Sequence, residues 1–102
     1  MHKVVCEMYL NNELVLIMMD EIQENLYKVN MDTNKVSKYD DREALDDFLN
    51  DYINASNIVI STEFFRSLID YTLDCYDETD NEFYMKAYDC LVFRKVDGLV
   101  GR

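Results

Sequence analysis

The sequence predicts an α+β fold, in which an antiparallel β-meander of three to four strands is followed by two or three packed helices. Apolar and polar residues alternate between Lys3 and Tyr39, which is the period of a half-buried strand. From Asp40 onward the apolar period changes to about 3.6 residues, the period of an amphipathic helix. No proline or linker-like segment interrupts the 102 residues, so residues 1–102 are predicted to form a single globular domain.

The predicted sheet is organised around Leu14–Met19, the only run of six consecutive apolar residues in the chain. Because both faces of this run are apolar, we predict a central strand that is covered on both sides. Lys3–Leu10 precedes it, and the link Asn11-Asn12 tolerates the positive φ of a type I′ turn. Two further strands are predicted at Leu26–Met31 and Lys35–Tyr39, the second carrying lysines as an edge strand commonly does.

The first helix is predicted to run from Asp40 to about Asn54. Asp40 and Glu43 have the three-residue spacing of a capping box. Five apolar residues that follow the helical period should face the sheet. They are Leu45, Phe48, Leu49, Tyr52 and Ile53.

A second helix is predicted after Ile58–Ile60, a segment that fits either a brief strand or a buried connector. Ser61 or Thr62 should cap this helix, because their hydroxyl groups can accept a hydrogen bond from a backbone N–H of the first turn. Its apolar residues repeat the spacing of the first helix. They are Phe65, Leu68, Ile69, Thr72, Leu73 and Tyr76.

A third helix is predicted from about Asp80, because Thr79 and Glu82 again have capping-box spacing. The apolar residues of segment 83–95 surround a helix axis almost completely. That distribution fits either a deeply buried helix or a helix that becomes a strand near Leu91. The tail from about Val96 contains both glycines of the chain and is expected to fray.

The cysteines indicate a reducing compartment. Cys6, Cys75 and Cys90 are widely spaced and have only His2 as an imidazole partner, so neither a disulfide framework nor a zinc site is expected. We predict reduced cysteines that are dispensable for activity. Acids such as Glu7 interrupt any signal-peptide core near the start of the sequence, so a cytoplasmic protein is expected.

The residue inventory argues against catalysis. A single histidine leaves no convincing nucleophile and base pair, and two glycines in the tail cannot form a phosphate-binding loop. We therefore expect a protein that is not an enzyme, with no catalytic residues, no metal and no cofactor.

The formal net charge is −11, and it is distributed unevenly along the chain. Residues 41–82 hold twelve of the 21 acids and two of the ten bases, a net charge of −10, whereas the other sixty residues have a net charge of −1. Such asymmetry argues against direct binding to nucleic acid or to an anionic membrane. It favours a basic protein partner, or serves solubility alone.

The helical acids are predicted to point away from the apolar stripes. Glu43, Asp47 and Asp51 form an outward row with steps of about 6 Å, close to the spacing of phosphates along a nucleic-acid strand. Like charges four residues apart destabilise a helix by about 0.2 to 0.5 kcal/mol per pair. The second helix and its end contribute further acids to the predicted partner-binding surface. They are Asp70, Asp74, Asp77 and Glu78.

Two functional hypotheses follow. The first is a small acidic inhibitor that presents a phosphate-like face to a basic, nucleic-acid-binding protein, as anti-CRISPR or anti-restriction proteins of phages and mobile elements do. The second is an adaptor or immunity-type interaction domain with an aromatic and Met-rich surface that binds a specific protein or a second copy of itself. Phe64 and Tyr71 would anchor that interface, with the acids as a rim.

Overall fold

A computed structural model of the chain describes residues 2–94 and 96–101, and Met1, Lys95 and Arg102 lie outside that description. The architecture is α+β, with a six-stranded mixed sheet and three α-helices. The strands are β1 (His2–Leu10), β2 (Glu13–Asp20), β3 (Leu26–Asn30), β4 (Lys35–Lys38), β5 (Ser56–Ser61) and β6 (Val96–Val100). The helices are α1 (Ala44–Ile53), α2 (Thr62–Thr79) and α3 (Glu82–Asp89), and a π-helical turn (Cys90–Arg94) follows α3.

The first four strands form the predicted antiparallel meander. Asn11 and Asn12 have φ angles of 52° and 66°, as a type I′ turn requires, so β1 folds directly back onto β2. β2 pairs with β3, and β3 pairs with β4, in both cases antiparallel. The sequence therefore predicted this half of the sheet correctly.

The second half of the sheet lies on the other side of β1. The strand order is β4-β3-β2-β1-β5-β6, so α1 carries the chain from the β4 edge across to β5, which pairs antiparallel with β1. Ile58–Ile60 is thus part of a strand. β6 pairs with β5 in parallel, which makes the sheet mixed and corrects the prediction of an antiparallel meander alone.

The prediction that the tail would fray from Val96 is wrong for the described residues. β5 would otherwise expose a row of unpaired backbone groups at the sheet edge, and β6 satisfies them. Val96 also packs against the hydrophobic core. Segment 83–94, which fitted a helix or a strand, is helical throughout, as α3 and the π-helical turn.

The helix starts show which polar residues act as caps. The Ser61 hydroxyl accepts a hydrogen bond from the Phe64 N–H (3.2 Å) and caps α2 as predicted. The Asn81 side chain caps α3 by accepting from the Phe83 N–H (2.9 Å). The predicted capping box of α1 does not form, because the Asp40 carboxylate instead accepts from the Arg42 N–H (2.9 Å) in a tight turn. The N-cap of α1 is consequently Glu43, three residues later than the predicted cap Asp40, and the helix begins at Ala44.

The core lies between the helices and one face of the sheet. Phe48, Leu49 and Tyr52 of α1 are fully buried. They pack in one cluster with Met8 of β1 and Ile17 of β2. The apolar stripe that the sequence identified on α1 is therefore the side that faces the sheet.

The opposite face of the sheet is not covered by a helix in the part of the chain that the structure describes. Val15 and Ile17 are buried, whereas Leu14, Leu16 and Met18 are half-buried and lie outside the core cluster. The prediction that β2 is covered on both sides is therefore wrong. Each of the strands from β1 to β4 is joined to the next by a turn. Such connections supply no crossover helix that could cover the second face.

Tyr52 offers a test of this core. Its hydroxyl is buried and has no hydrogen-bond partner among the described residues, whereas the Tyr39 hydroxyl donates to the Asp51 carboxylate (2.7 Å). We expect Tyr52→Phe to raise the free energy of unfolding by about 1 kcal/mol, because the burial of an unsatisfied hydroxyl is avoided. The matched variant Tyr39→Phe should lower it by about 1.5 to 3 kcal/mol. Urea denaturation measures both, and a loss of stability in Tyr52→Phe would contradict the placement of its ring.

Candidate acidic partner-binding surface

The helix layer carries most of the predicted acids at exposed positions. On α1, Glu43 occupies the N-cap position and Asp47 lies one turn further along the same side. On α2, the side opposite the buried residues Phe64, Leu68 and Thr72 carries acids spaced three or four residues apart. We define the acidic helix face as the exposed residues Glu43, Asp47, Asp70, Asp74, Asp77 and Glu78.

The three helices meet at the carboxylate of Asp46. The Tyr71 hydroxyl of α2 donates a hydrogen bond to Oδ1 of Asp46 (2.6 Å), and the Tyr84 hydroxyl of α3 lies 3.0 and 2.9 Å from its two oxygens. The Tyr71 and Tyr84 rings also contact each other edge to face, with centroids 6.1 Å apart. One partly buried carboxylate thus fixes how α1, α2 and α3 lie relative to one another.

The hydrogen bonds of Tyr71 and Tyr84 to Asp46, here called the Asp46 seam, have exposed acids nearby on both α1 and α2. On α2, Asp74 lies about 60° around the helix from Tyr71, on the solvent side. On α1, Asp47 lies about 100° around the helix from Asp46, and it is exposed. Tyr71 and Asp46 point toward each other, so Asp47 and Asp74 are exposed acids close to the contact on either helix.

Asp51 does not belong to the outward row in which the sequence placed it. Its carboxylate accepts a hydrogen bond from the Tyr39 hydroxyl (2.7 Å) and forms an ion pair with Lys28 (3.0 Å), and it is half-buried. The helical period places Asp51 on the flank of α1, about 130° from the centre of the apolar stripe. Lys28 of β3 and Tyr39, which follows β4, contact Asp51 on that flank. The Asp51 carboxylate therefore stabilises the fold.

The acids of the acidic helix face have no basic partner among the residues that the structure describes. The ion pairs found there are Lys28–Asp51, Lys3–Glu63 and Lys38–Asp41. None of these three ion pairs includes a member of the acidic helix face.

The two aromatic residues of the alternative hypothesis are engaged inside the molecule. Phe64 is 5% exposed and its ring lies 5.3 Å from that of Phe48, centroid to centroid. Tyr71 belongs to the seam with Asp46. The Phe64 ring is therefore packed inside the molecule, whereas Tyr71 is half-buried and keeps part of its surface exposed.

The cysteines are part of the interior and the helix layer. Cys6 and Cys90 are buried, Cys75 is half-buried, and all three are reduced. Burial, with a smaller contribution from the adjacent Glu7 carboxylate, raises the pKa of the Cys6 thiol to about 12, so Cys6 remains a protonated and unreactive thiol at neutral pH. That the cysteines are dispensable for activity stays a prediction.

The described residues contain little that resembles a reactive centre. A cleft of about 410 Å³ opens between the turn after β2 and the helices, and its lining includes Asp41, Arg42 and Tyr71 but no histidine or cysteine. Within residues 2–94 and 96–101, no group of three or more His, Cys, Asp or Glu side chains could hold a metal ion. No helix of that part of the chain has the length and apolar character needed to span a membrane.

Comparison with protein-family models, with curated proteins and with solved structures gives no match to this chain.

Sequence reasoning identified the exposed acids but missed Asp46. Asp46 and its neighbour Asp47 are the same residue type, so the sequence did not distinguish them. The only sequence signal that Asp46 accepts hydrogen bonds was the presence of hydroxyl groups on Tyr71 and Tyr84. A phenylalanine at either position would have served an apolar contact as well. The tyrosine at each position indicates a nearby acceptor.

We expect Asp46→Ala to lower the free energy of unfolding by about 1.5 to 3 kcal/mol, because the hydroxyls of Tyr71 and Tyr84 lose a charged acceptor. Asp47→Ala is the matched control, since it removes the exposed neighbouring carboxylate and should change stability by less than about 0.5 kcal/mol. Chemical denaturation measures both variants. Equal effects would show that Asp46 does not join the helices.

The same seam predicts how stability depends on alkaline pH. Burial and the hydrogen bond to Asp46 raise the pKa of Tyr84 to about 12, and the same causes raise the pKa of Tyr71 well above its usual value. Above pH of about 10 the unfolded chain loses phenolic protons that the folded chain retains. The stabilisation is therefore complete below about pH 10 and is lost as the pH rises toward 12.

Urea titrations at about pH 8, 10 and 11 test this dependence. The variant Tyr71→Phe/Tyr84→Phe should lose stability less steeply than the wild-type chain between the last two conditions. An identical decline in the two proteins would contradict the account of the seam.

Proposed function

We propose that this chain is a small acidic, non-enzymatic inhibitor that binds a basic, nucleic-acid-binding protein through the acidic helix face, as counter-defence proteins of phages and mobile elements do. The observation that carries the proposal is the set of six exposed carboxylates without an ion-pair partner among the described residues. A basic groove that normally binds phosphates offers the complementary charges.

The position of the acids supports a binding role over simple solubility. Asp74, Asp77 and Glu78 lie in the last two turns of α2, and no basic residue lies in its last turn. The negative end of the helix dipole lies in the last turn, so Asp77 and Glu78 each cost stability, typically about 0.3 to 1 kcal/mol. A surface selected for solubility alone could carry these charges elsewhere without that cost.

The spacing of the acids supports a phosphate-like display. Glu43 and Asp47 on α1, and Asp70 and Asp74 on α2, are each separated by one turn, or about 6 Å along the helix axis. The helices are held at a fixed mutual position by the Asp46 seam. A rigid display loses little conformational entropy on binding, which favours affinity.

The test compares two double charge reversals with equal net charge. Asp47→Lys/Asp74→Lys alters the acidic helix face, whereas Glu21→Lys/Asp97→Lys alters exposed acids in the turn after β2 and on β6. The partner is first retained on immobilised wild-type chain from a lysate, and its affinity for each variant is then measured by interferometry. We expect the first variant to bind about tenfold more weakly or worse, and the second to bind as the wild-type chain does.

Two controls make the result specific. The wild-type affinity should fall as salt rises from about 50 to 500 mM, because exposed charges are screened beyond a few ångströms at the higher concentration. Nucleic acid that the partner binds should compete with the chain. Wild-type affinity in Asp47→Lys/Asp74→Lys, with an unchanged circular dichroism spectrum, would overturn the proposal.

A further inference from the structure

The face of the sheet that points away from the helices is apolar across five neighbouring strands. On β2 and β3 the cross-strand pairs on this face are Met18 with Tyr27 and Leu16 with Val29. A bulge at Val5 turns both Val5 and Cys6 into the core, so Val4, Glu7 and Tyr9 are the β1 residues on this outer side. We define the outer sheet face as His2, Val4, Glu7, Tyr9, Leu14, Leu16, Met18, Asp20, Tyr27, Val29, Val36, Lys38 and Val59.

This composition differs from that of a sheet face in contact with water. An antiparallel sheet with one solvated face normally alternates apolar and polar residues, whereas β2 and β3 place only apolar or aromatic side chains at the paired positions above. Val4 is 44% exposed and Val36 is 66% exposed, and neither belongs to the core. A contiguous apolar patch of this kind typically marks a protein interface.

The distribution of charge favours a second copy of the chain as the occupant. The acids are concentrated on the helix layer, so two chains of net charge −11 that meet through the outer sheet face keep those acids on opposite outer sides. An association through any surface that includes the helix layer would bring them together. Like charges at a contact cost several kcal/mol, so repulsion selects the sheet-to-sheet arrangement.

Glu7 and Lys38 are opposite charges on the outer sheet face, and the Lys38 ammonium also forms an exposed ion pair with Asp41 of the same chain (2.9 Å). Glu7 lies on β1 and Lys38 lies on β4, which are the strands on either side of the β2–β3 pair. A twofold axis that runs parallel to the strands, between β2 and β3, places β1 of one copy over β4 of the other. Each Glu7 then lies toward the Lys38 side of the other copy, and the interface contains this pair twice.

The area is sufficient for a stable dimer. Five strands at about 4.8 Å each, with a length of about 20 Å, give a planar area of roughly 480 Å². Side-chain relief increases the accessible area toward the roughly 800 Å² per partner of a standard interface. Two sheets that pack face to face keep their strands within about 30° of each other, which is compatible with the twofold axis described above.

We propose that two copies of the chain associate through their outer sheet faces to form a twofold symmetric dimer, with the two acidic helix faces directed outward on opposite sides. This dimer goes beyond the proposed inhibitory function and does not depend on it. It would present two equivalent acidic surfaces to basic partners.

Light scattering coupled to size exclusion, from about 5 to 200 μM, tests the proposal. We expect the wild-type chain to have twice the 12.2 kDa mass of one chain. Leu16→Glu should raise the dissociation constant at least about tenfold, because it buries an unpaired carboxylate in the interface. Leu73→Glu is the matched control, since Leu73 is 39% exposed on α2, and it should remain dimeric.

A charge swap covers the case in which Leu16→Glu fails to fold. Glu7→Lys and Lys38→Glu should each weaken the dimer, and the double variant Glu7→Lys/Lys38→Glu should restore it, because the opposite charges meet again. The dimer should also persist at about 500 mM salt, where the acidic helix face loses its partner. A monomeric wild-type chain over the whole concentration range, or a dimer unaffected by a folded Leu16→Glu variant, would overturn the proposal.

Discussion

The packing of the Phe48 ring against one face of the sheet is the contact on which the rest of the structure depends. Its centroid lies 6.4 Å from the ring of Tyr39, 5.8 Å from that of Tyr52 and 5.3 Å from that of Phe64, so it joins the end of the meander to α1 and α2. With the apolar stripes turned toward that ring, the remaining sides of α1 and α2 must face water. The acidic helix face and the bare outer sheet face are two consequences of this one-sided packing.

The fold could be predicted from the sequence where the signal was local, as in the alternation of β1, the Asn11-Asn12 turn and the helical period of α1. The prediction failed where an element depends on residues that are distant in the sequence. β6 is ordered by pairing with β5, about forty residues earlier in the chain, and its own sequence carries little strand signal beyond Leu99 and Val100. The apolar run of β2 could not reveal that only one of its two faces is covered by helices.

In the candidate site, too, the features that depend on local sequence could be predicted, and those that depend on distant residues could not. Helical periodicity places Asp47 and Asp74 outward, since that placement depends only on the stripes of α1 and α2. Whether an acid on the flank of a helix reaches solvent or an internal donor depends on the neighbouring element. Asp51 lies beside Lys28 and Tyr39, and Asp46 lies beside Tyr71, so both are used by the fold. These contacts join residues that are up to 25 positions apart, which periodicity alone does not relate.

The molecule is therefore two-sided, with charge on the helix layer and apolar side chains on the outer sheet face. Recognition of the helix layer by a basic partner is tested most directly by the amide chemical shifts of the ¹⁵N-labelled chain during titration with the captured partner. We predict the largest shifts at residues 43–47 and 70–78, and small shifts at residues 14–18 and 27–29. The reverse distribution would contradict the account.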